Sequence, residues 1–201
     1  ARGLPDSRGV EAARRSPRGA GTRMHLDGAR LFLLPQHSGR PVTAWTALFD
    51  TVYVSLWKHF NGAGGAILAG SEAFIDGLYN ERRMFGGALP SAWSQVALVE
   101  HYAARFSDDY AHAWRPADAL IEQLQASGRY RARKLADGTC RFFLSVDGSD
   151  PAAVAERLRR HGIVLPQPHP DTGEFALPVN PTLVRIAPSA LARRFLEAAQ
   201  A

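Results

Sequence analysis

The chain has 201 residues, of which 46% are hydrophobic and 21% charged, a composition typical of folded proteins and not of disordered ones. Its single cysteine, Cys140, excludes an internal disulfide bond and favours a reducing compartment, so we expect a cytoplasmic protein. No apolar run approaches the ~18 residues that cross a bilayer, which argues against a membrane partner. Residues 1–23 carry six arginines against Asp6 and Glu11, a net +4 of the total +5. Since the excess charge belongs to one segment, the sequence argues against a nucleic-acid-binding face and leaves an RNA or DNA contact by the arginine-rich segment only as a weaker alternative.

The first predicted elements form an α/β layer. Residues 1–21 are rich in Arg, Gly, Ser and Pro without an apolar pattern, so we expect a flexible segment there. Over residues 22–105, strands are predicted at 23–26, 50–56 and 65–70. A polar loop is predicted at 36–41 and a short helix at 42–49. A second helix is predicted to begin at its cap, Ser71, and to run through Met84. Alternating strands and helices of this length predict a parallel or mixed sheet.

The second half of the chain predicts a small α+β domain over residues 106–201. A long amphipathic helix starts near Ser91, and Pro116 is expected to kink or break it. Two strands at 130–135 and 139–146 flank Asp137 and Gly138, a dipeptide typical of hairpin turns. Asp150 is expected to cap a helix that ends before Gly162. Two strands at 175–179 and 183–186 and a helix at 189–199 complete the prediction.

One lysine stands out chemically. Lys58 follows the predicted strand at 50–56 and enters a glycine-rich turn, the end of a strand at which open α/β sheets place ligands. Of the 24 basic residues only Lys58 and Lys134 are lysines, and a primary amine can form an imine whereas a guanidinium cannot. Asp27 and Arg30 follow the preceding strand. An acid, a fixed cation and an amine at one sheet edge suit an aromatic aldehyde cofactor, although a strand-end lysine or a capping aspartate is also common in purely structural roles.

Four runs of this sequence resemble the threonine aldolase group of pyridoxal-phosphate (PLP) enzymes, the β-eliminating lyase branch of the aspartate-aminotransferase-like fold. The resemblance covers about residues 22–201, with the runs in the family's order and spacing. They are Met24-His25-Leu26-Asp27-Gly28-Ala29-Arg30-Leu31, Val54-Ser55-Leu56-Trp57-Lys58, Gly65-Ala66-Ile67-Leu68-Ala69-Gly70 and Arg82-Arg83-Met84-Phe85-Gly86-Gly87. The resemblance implies part of a fold-type-I large domain at 22–105, followed by the small α+β domain.

The resemblance also implies roles for individual residues. Lys58 would bind the cofactor aldehyde as an imine, and Asp27 would keep the pyridine nitrogen protonated. Arg30 would contact the phenolic-oxygen side of the cofactor or the substrate carboxylate, and Arg185 would clamp that carboxylate. Ser55 and His25 would belong to the cofactor-binding set, with His25 orienting the strand end. No metal is expected, and the implied assembly is a homo-oligomer, a dimer or a tetramer.

The chain departs from the family in two respects. Trp57 and His59 flank Lys58, where the family usually has Ser and Gly, and Ala88 to Ser91 replace a segment that commonly contains an arginine. The family's amino-terminal half, which supplies the phosphate cup and the ring-stacking group, has no counterpart in residues 1–23, so the chain is expected to be the carboxyl-terminal part of such an enzyme.

Two functions are consistent with this sequence. One is a PLP-dependent lyase or aldolase that cleaves the Cα–Cβ bond of a β-hydroxy amino acid or eliminates a β-substituent. The other is a truncated, catalytically silent module that binds a partner chain.

Overall fold

The structure is a computed structural model that describes residues 7–15, 21–135 and 140–200. The chain divides into two compact units, one ending at Ser107 and the other beginning at Asp108. That these units are the two domains expected from the sequence stays a prediction. Among the described residues, no helix is both long and apolar enough to cross a bilayer.

The first unit is built around a three-stranded mixed sheet, in the order β1-β2-β3. Its strands are β1 (His25–Asp27), β2 (Thr51–Ser55) and β3 (Ala66–Ala69), and its helices are α1 (Ser7–Arg15), α2 (Leu34–Ser38), α3 (Val42–Thr46), α4 (Glu72–Asp76), α5 (Leu78–Met84) and α6 (Trp93–Ala103). A 3-10 helix, Leu31–Leu33, precedes α2. β1 and β2 are parallel, whereas β3 runs antiparallel to β2, so the sheet that was expected to be parallel or mixed is mixed.

One face of this sheet is covered by apolar side chains because residues alternate between the two faces of a strand. The buried cluster joins the sheet to the segments that connect β1 to β2, and its members are Leu26, Leu31, Leu34, Trp45 and Val52. Burying a large side chain of this kind stabilises the fold by about 1.5–3 kcal/mol. The cluster thereby fixes the connection that follows Asp27 against the strand that leads to Lys58.

The second unit combines helices with an antiparallel sheet in the order β4-β5-β6. Helix α7 (Phe106–Ala126) leads into it, followed by β4 (Tyr130–Lys134), β5 (Arg141–Val146), α8 (Pro151–Arg160), β6 (Phe175–Pro178) and α9 (Pro188–Ala199). The Asp150 side chain accepts hydrogen bonds from the backbone nitrogens of Ala152 and Ala153, which confirms the predicted cap. The expected hairpin turn at Asp137 and Gly138 lies outside the described residues.

Four expectations on secondary structure were wrong. The single helix expected from Ser71 through Met84 is two helices, α4 and α5, which meet at Gly77. Pro116 lies within α7 without interrupting it, and the break falls instead between α6 and α7. Fully buried Ala113 and Ala117 flank the proline, so packing of the helix outweighs the lost backbone hydrogen bond. The first half of the polar loop expected at 36–41 belongs to helix α2, which ends at Ser38. The strand expected at 183–186 is a 3-10 helix, Pro181–Arg185.

The segment expected to be flexible at 1–21 contains helix α1, where the sequence predicted no regular element. Two side chains anchor α1 to the first unit: Arg14 lies 3.5 Å from the Asp50 carboxylate, and Glu11 lies 3.5 Å from Arg40. The Arg14 guanidinium also donates to the carbonyl of Ala47 at 3.4 Å. One of the arginines that suggested a flexible segment, Arg14, therefore supplies part of the contacts of α1. Residues 1–6 and 16–20 lie outside the described part of the chain.

Candidate active site

The carboxyl ends of two parallel strands bring the predicted cofactor residues to one edge of the sheet. β1 ends at Asp27 and β2 at Ser55, and the register pairs Asp27 with Tyr53. Because parallel strands end at the same edge, the turn that follows Asp27 lies beside the turn that carries Lys58. The shared edge predicted from the sequence is therefore present.

The turn after β1 is held by its own hydrogen bonds and by a close backbone approach. Asp27 Oδ1 accepts a hydrogen bond from the backbone nitrogen of Ala29 at 3.1 Å, and Leu31 N donates to Gly28 O at 2.8 Å. A Cβ atom on Gly28 would lie 2.7 Å from the carbonyl oxygen of Tyr53, so the two strands can come this close only with glycine here. Asp27 and Arg30 are exposed on this turn, and their side chains are accessible to a ligand.

Lys58 lies in the turn between β2 and β3, three residues after the end of β2. It is half-buried, and its Nζ lies 5.3 Å from the ring centroid of Trp57, which is the distance of a cation–π contact. Two residues of this turn are constrained. Asn61 has a left-handed backbone conformation with φ = 53°, and Gly62 has no room for a side chain, because a Cβ there would lie 2.9 Å from the Val99 side chain. The path of the chain after Lys58 is therefore closely determined.

Four rings form an aromatic cluster, Phe32, His59, Phe60 and Phe106, that joins the two turns. The Phe60 ring packs edge-on against Phe32 at 5.1 Å and against Phe106 at 5.3 Å, and His59 lies 5.3 Å from Phe106. Phe32 lies two residues after Arg30, and Phe60 two residues after Lys58. Edge-to-face ring pairs contribute about 0.5–1.5 kcal/mol beyond the area they bury, so the cluster holds the Arg30 turn against the Lys58 turn.

His59, which directly follows Lys58, has a strongly lowered pKa. Burial, then the charge of Arg30, then that of Lys58 lower its pKa to about 4, so the imidazole is neutral at neutral pH. Its Nε2 atom is buried without a hydrogen-bond partner, as is the Oγ of fully buried Ser55. Buried polar atoms without partners are costly, and here two of them lie beside the predicted cofactor lysine.

The other predicted site residues have different surroundings. His25 is the exposed first residue of β1, and its Nδ1 lies 2.8 Å from Thr51 Oγ1, a contact between neighbouring strands that suits the orienting role. Arg185 was expected on a strand but ends the 3-10 helix Pro181–Arg185, exposed, in the second unit. The local reason is the Asn180 side chain, which accepts a hydrogen bond from Thr182 N at 2.9 Å and starts the turn before Pro181.

Sequence reasoning missed the aromatic cluster and gave His59 no role. The available signal was its position directly after Lys58, where the sequence departs from the family. The departure from the family pattern identified His59 as an unusual residue but did not show which rings contact it. Phe32 and Phe106 lie far from it along the chain, and only the fold places them together.

Comparison with known proteins identifies one enzyme family. A family model for beta-eliminating lyases matches residues 8–134. Low-specificity L-threonine aldolase 1 of Arabidopsis thaliana is 31% identical over 147 residues, which is 70% of this chain and 39% of the relative. The chain thus spans well under half of that relative's length.

Solved structures share the fold. A candidate aromatic amino acid beta-eliminating lyase/threonine aldolase from Exiguobacterium sp. 255-15 superimposes with a TM-score of 0.81 at 25% identity, over 98% of this chain and 57% of that one. A structure of SPT with PLP superimposes with a TM-score of 0.64 at 18% identity, over 94% and 49% of the two chains. The α/β architecture is therefore that of part of a larger PLP-enzyme fold. The chain belongs to the beta-eliminating lyase family.

Proposed function

We propose that the chain is the part of a PLP-dependent lyase that carries its cofactor lysine, acting on a β-hydroxy or β-substituted amino acid by Cα–Cβ cleavage or β-elimination. The observation that carries the proposal is the parallel pairing of β1 with β2, which sets Asp27 and the Lys58 turn at one sheet edge. The name of the Arabidopsis relative, a low-specificity L-threonine aldolase, supports the substrate class.

The residues at this edge fit PLP. Lys58 offers a primary amine for the aldehyde, and Asp27 uses one carboxylate oxygen in its turn and has a second for a pyridine nitrogen. The partnerless Ser55 Oγ and His59 Nε2 are polar atoms that a bound polar group would satisfy. PLP, when bound, withdraws electrons from the bond that breaks at the substrate Cα.

The site residues would then have distinct roles. Lys58 would hold the cofactor covalently through Nζ and, once the substrate amine takes its place, return a proton to the substrate Cα. Asp27 would hold a proton on the pyridine nitrogen. Arg30 would bind a carboxylate or the phenolic oxygen, Ser55 and His25 would support the cofactor-binding edge, and Arg185 would bind the substrate carboxylate in a bidentate manner. We expect a cytoplasmic homo-oligomer, a dimer or a tetramer.

The proposal is tested by trapping the cofactor. The purified chain mixed with PLP is expected to turn yellow, and borohydride reduction followed by peptide mass mapping is expected to locate the adduct on Lys58. Only one other lysine, Lys134, exists in the chain, so Lys134→Arg is the matched control for Lys58→Arg. Lys58→Arg is expected to abolish the adduct and Lys134→Arg to retain it. An adduct absent from the wild-type chain, or unchanged in Lys58→Arg, would rule out the cofactor role.

A second candidate function, a catalytically silent module that binds a partner chain, is favoured by an exposed apolar surface. The exposed residues lie between β3 and α6 along the chain, and Leu68, Ile75, Tyr79 and Phe85 line one open cavity of about 670 Å³. Large apolar residues more than half exposed between residues 67 and 96 are Ile67, Tyr79, Met84, Phe85, Leu89, Trp93 and Val96. Exposed apolar surface of this extent is typical of an interaction site, and we propose a second copy of the chain as the occupant.

Self-association tests this surface. Phe85 is 87% exposed, and Val164, in a loop of the second unit, is 73% exposed. Sedimentation velocity is expected to show concentration-dependent association of the wild-type chain, much weaker association of Phe85→Asp, and no change in Val164→Asp. Association without any PLP adduct would favour the second function over the first, whereas a wild-type chain that stays monomeric would contradict the second copy as occupant.

A further inference from the structure

Strand β3 is an edge strand without the usual protection against pairing with another chain. The orders β1-β2-β3 and β4-β5-β6 leave four edge strands in the described part of the chain, and natural edges usually carry a charge or a proline that discourages such pairing. β1 contains Asp27, β4 contains three basic residues, and β6 ends at Pro178. β3 has neither device, because residues 59–71 contain no Asp, Glu, Lys, Arg or Pro.

The side chains of β3 are also uncovered. All four of its residues are exposed, and the two large ones point to opposite faces of the sheet because side chains alternate along a strand. Ile67 is 53% exposed and Leu68 is 42% exposed. An apolar edge that is open on both faces is suited to the addition of an extended strand, whose main chain supplies hydrogen bonds while its side chains cover both faces.

The antiparallel ladder with β2 determines which backbone groups of β3 point outward. Leu56 N donates to Gly65 O at 3.2 Å, so Gly65 directs its backbone groups toward β2. Because hydrogen-bonded and non-hydrogen-bonded pairs alternate in an antiparallel ladder, every second residue after Gly65 also points toward β2. The residues between them, Ala66 and Leu68, therefore direct their N–H and C=O groups toward the open edge.

We propose that β3 pairs with β3 of a second copy of the chain, antiparallel, about a two-fold axis at Ile67. This register sets Ala66 opposite the partner's Leu68, so both residues with outward-facing groups exchange hydrogen bonds. A two-fold axis at Leu68 would instead set Ala66 opposite the partner's Gly70, which lies beyond the end of β3. An axis between Ile67 and Leu68 would set outward-facing residues opposite inward-facing ones, and no ladder would form.

The side chains favour a second copy as the occupant. Ile67 would face the partner's Ile67 in a non-hydrogen-bonded pair, in which side chains lie closest, and the uncharged segment 59–71 brings no like charges together. A pair of four-residue strands buries less than the ~1,200 Å² of a stable interface, so neighbouring apolar residues must contribute. Leu68 lines the cavity of about 670 Å³ together with Phe85, which connects β3 to the surface of the second candidate function. The inference rests on that function and specifies how the two copies meet.

Disulfide trapping tests the position of the axis. Cys140→Ser removes the chain's own thiol, and in that background Ile67→Cys is expected to form a covalent dimer on oxidation with copper phenanthroline. The Cα atoms of a non-hydrogen-bonded pair lie about 4.5 Å apart, within reach of a disulfide. Leu68→Cys is the matched control, because its two copies would be offset along the strands and lie roughly 8 Å apart, which is too far. Trapping of Leu68→Cys as fast as Ile67→Cys, or of neither, would overturn the inference.

Charge substitution at the axis gives a second test without a covalent bond. Like charges directly opposite one another destabilise strand pairing, whereas opposite charges favour it. In sedimentation velocity, Ile67→Lys alone and Ile67→Glu alone should each associate at least about tenfold more weakly than the wild-type chain. An equimolar mixture of the two should recover association, which also shows that both variants are folded. Val184→Lys, at a position of similar exposure, 54%, in the second unit, is the control and should associate like the wild-type chain.

The outcomes separate this inference from the function on which it rests. Association that is weakened by Phe85→Asp but retained in Ile67→Lys would overturn the pairing of β3 and leave the second candidate function in place. A wild-type chain that stays monomeric would contradict both. Trapping of Ile67→Cys, together with recovery in the mixture of opposite charges, would establish the two-fold pairing.

Discussion

Gly28→Ala is expected to destabilise the first unit by about 2–3 kcal/mol, because the new methyl group would lie 2.7 Å from a backbone oxygen. The obstructing atom is the carbonyl of Tyr53 in β2, which cannot rotate away as a side chain would. Relief requires the β1 turn to move off β2, which breaks the parallel pairing that positions Asp27. The trapping of PLP on Lys58 should therefore weaken together with stability.

Gly64→Ala is the matched control for that prediction. A Cβ at Gly64 would meet no atom within 4 Å, so the free energy of unfolding should stay within about 0.5 kcal/mol or rise slightly through the stiffer unfolded chain. Urea unfolding followed by circular dichroism measures both variants. Equal stability of Gly28→Ala and Gly64→Ala would mean that the approach of the two strands is not a constraint on the fold.

The same glycine illustrates how much of the site the sequence determines. The β-branched run in β2 predicts a buried strand, and the residues after β1 predict a turn, so the positions of Asp27 and Lys58 at strand ends follow from local patterns. Their juxtaposition depends on parallel pairing, which the sequence predicted only as part of a parallel or mixed sheet. The resemblance to a known family supplied the remaining expectation.

The misplaced elements have physical causes that a pattern of apolar residues alone does not show. Leu183, Val184 and Ile186 formed an apolar run that suggested a strand, yet the Asn180 cap and Pro181 start a 3-10 helix, and Val184 stays 54% exposed. Short apolar runs do not distinguish strands from helical turns. Pro116 was expected to kink or break the long helix, but α7, in which Ala113 and Ala117 are fully buried, tolerates it. Arg185 consequently has no strand to orient it, and its substrate role stays a prediction.

The electrostatic state of His59 could not be predicted from the sequence. Its low pKa arises from burial and from Arg30, which is 29 positions away in the chain. No periodicity or motif encodes that proximity. The same holds for the ring contact between Phe32 and Phe60, which joins the two turns. Sequence patterns thus placed the chemical groups on their elements, and tertiary packing set the electrostatic state of the residue between them.

Asp27→Asn is expected to weaken PLP binding by about 10- to 100-fold and to reduce turnover further. The amide oxygen of asparagine can still accept the hydrogen bond from Ala29 N that Asp27 Oδ1 accepts at 3.1 Å, so the turn is retained. What is lost is the negative charge that would hold a proton on the pyridine nitrogen, and a hydrogen bond to a charged group contributes about 1.5–3 kcal/mol.

Two comparisons separate this electrostatic effect from a structural one. Asp27→Ala removes both the charge and the turn hydrogen bond, so it should also lower the free energy of unfolding by about 1 kcal/mol, whereas Asp27→Asn should unfold like the wild-type chain. PLP titration followed by absorbance gives the affinity without requiring turnover. Wild-type PLP affinity in Asp27→Asn would show that the carboxylate does not face the ring nitrogen, and Lys58 would then have to hold the cofactor without the acid that lies at the neighbouring strand end.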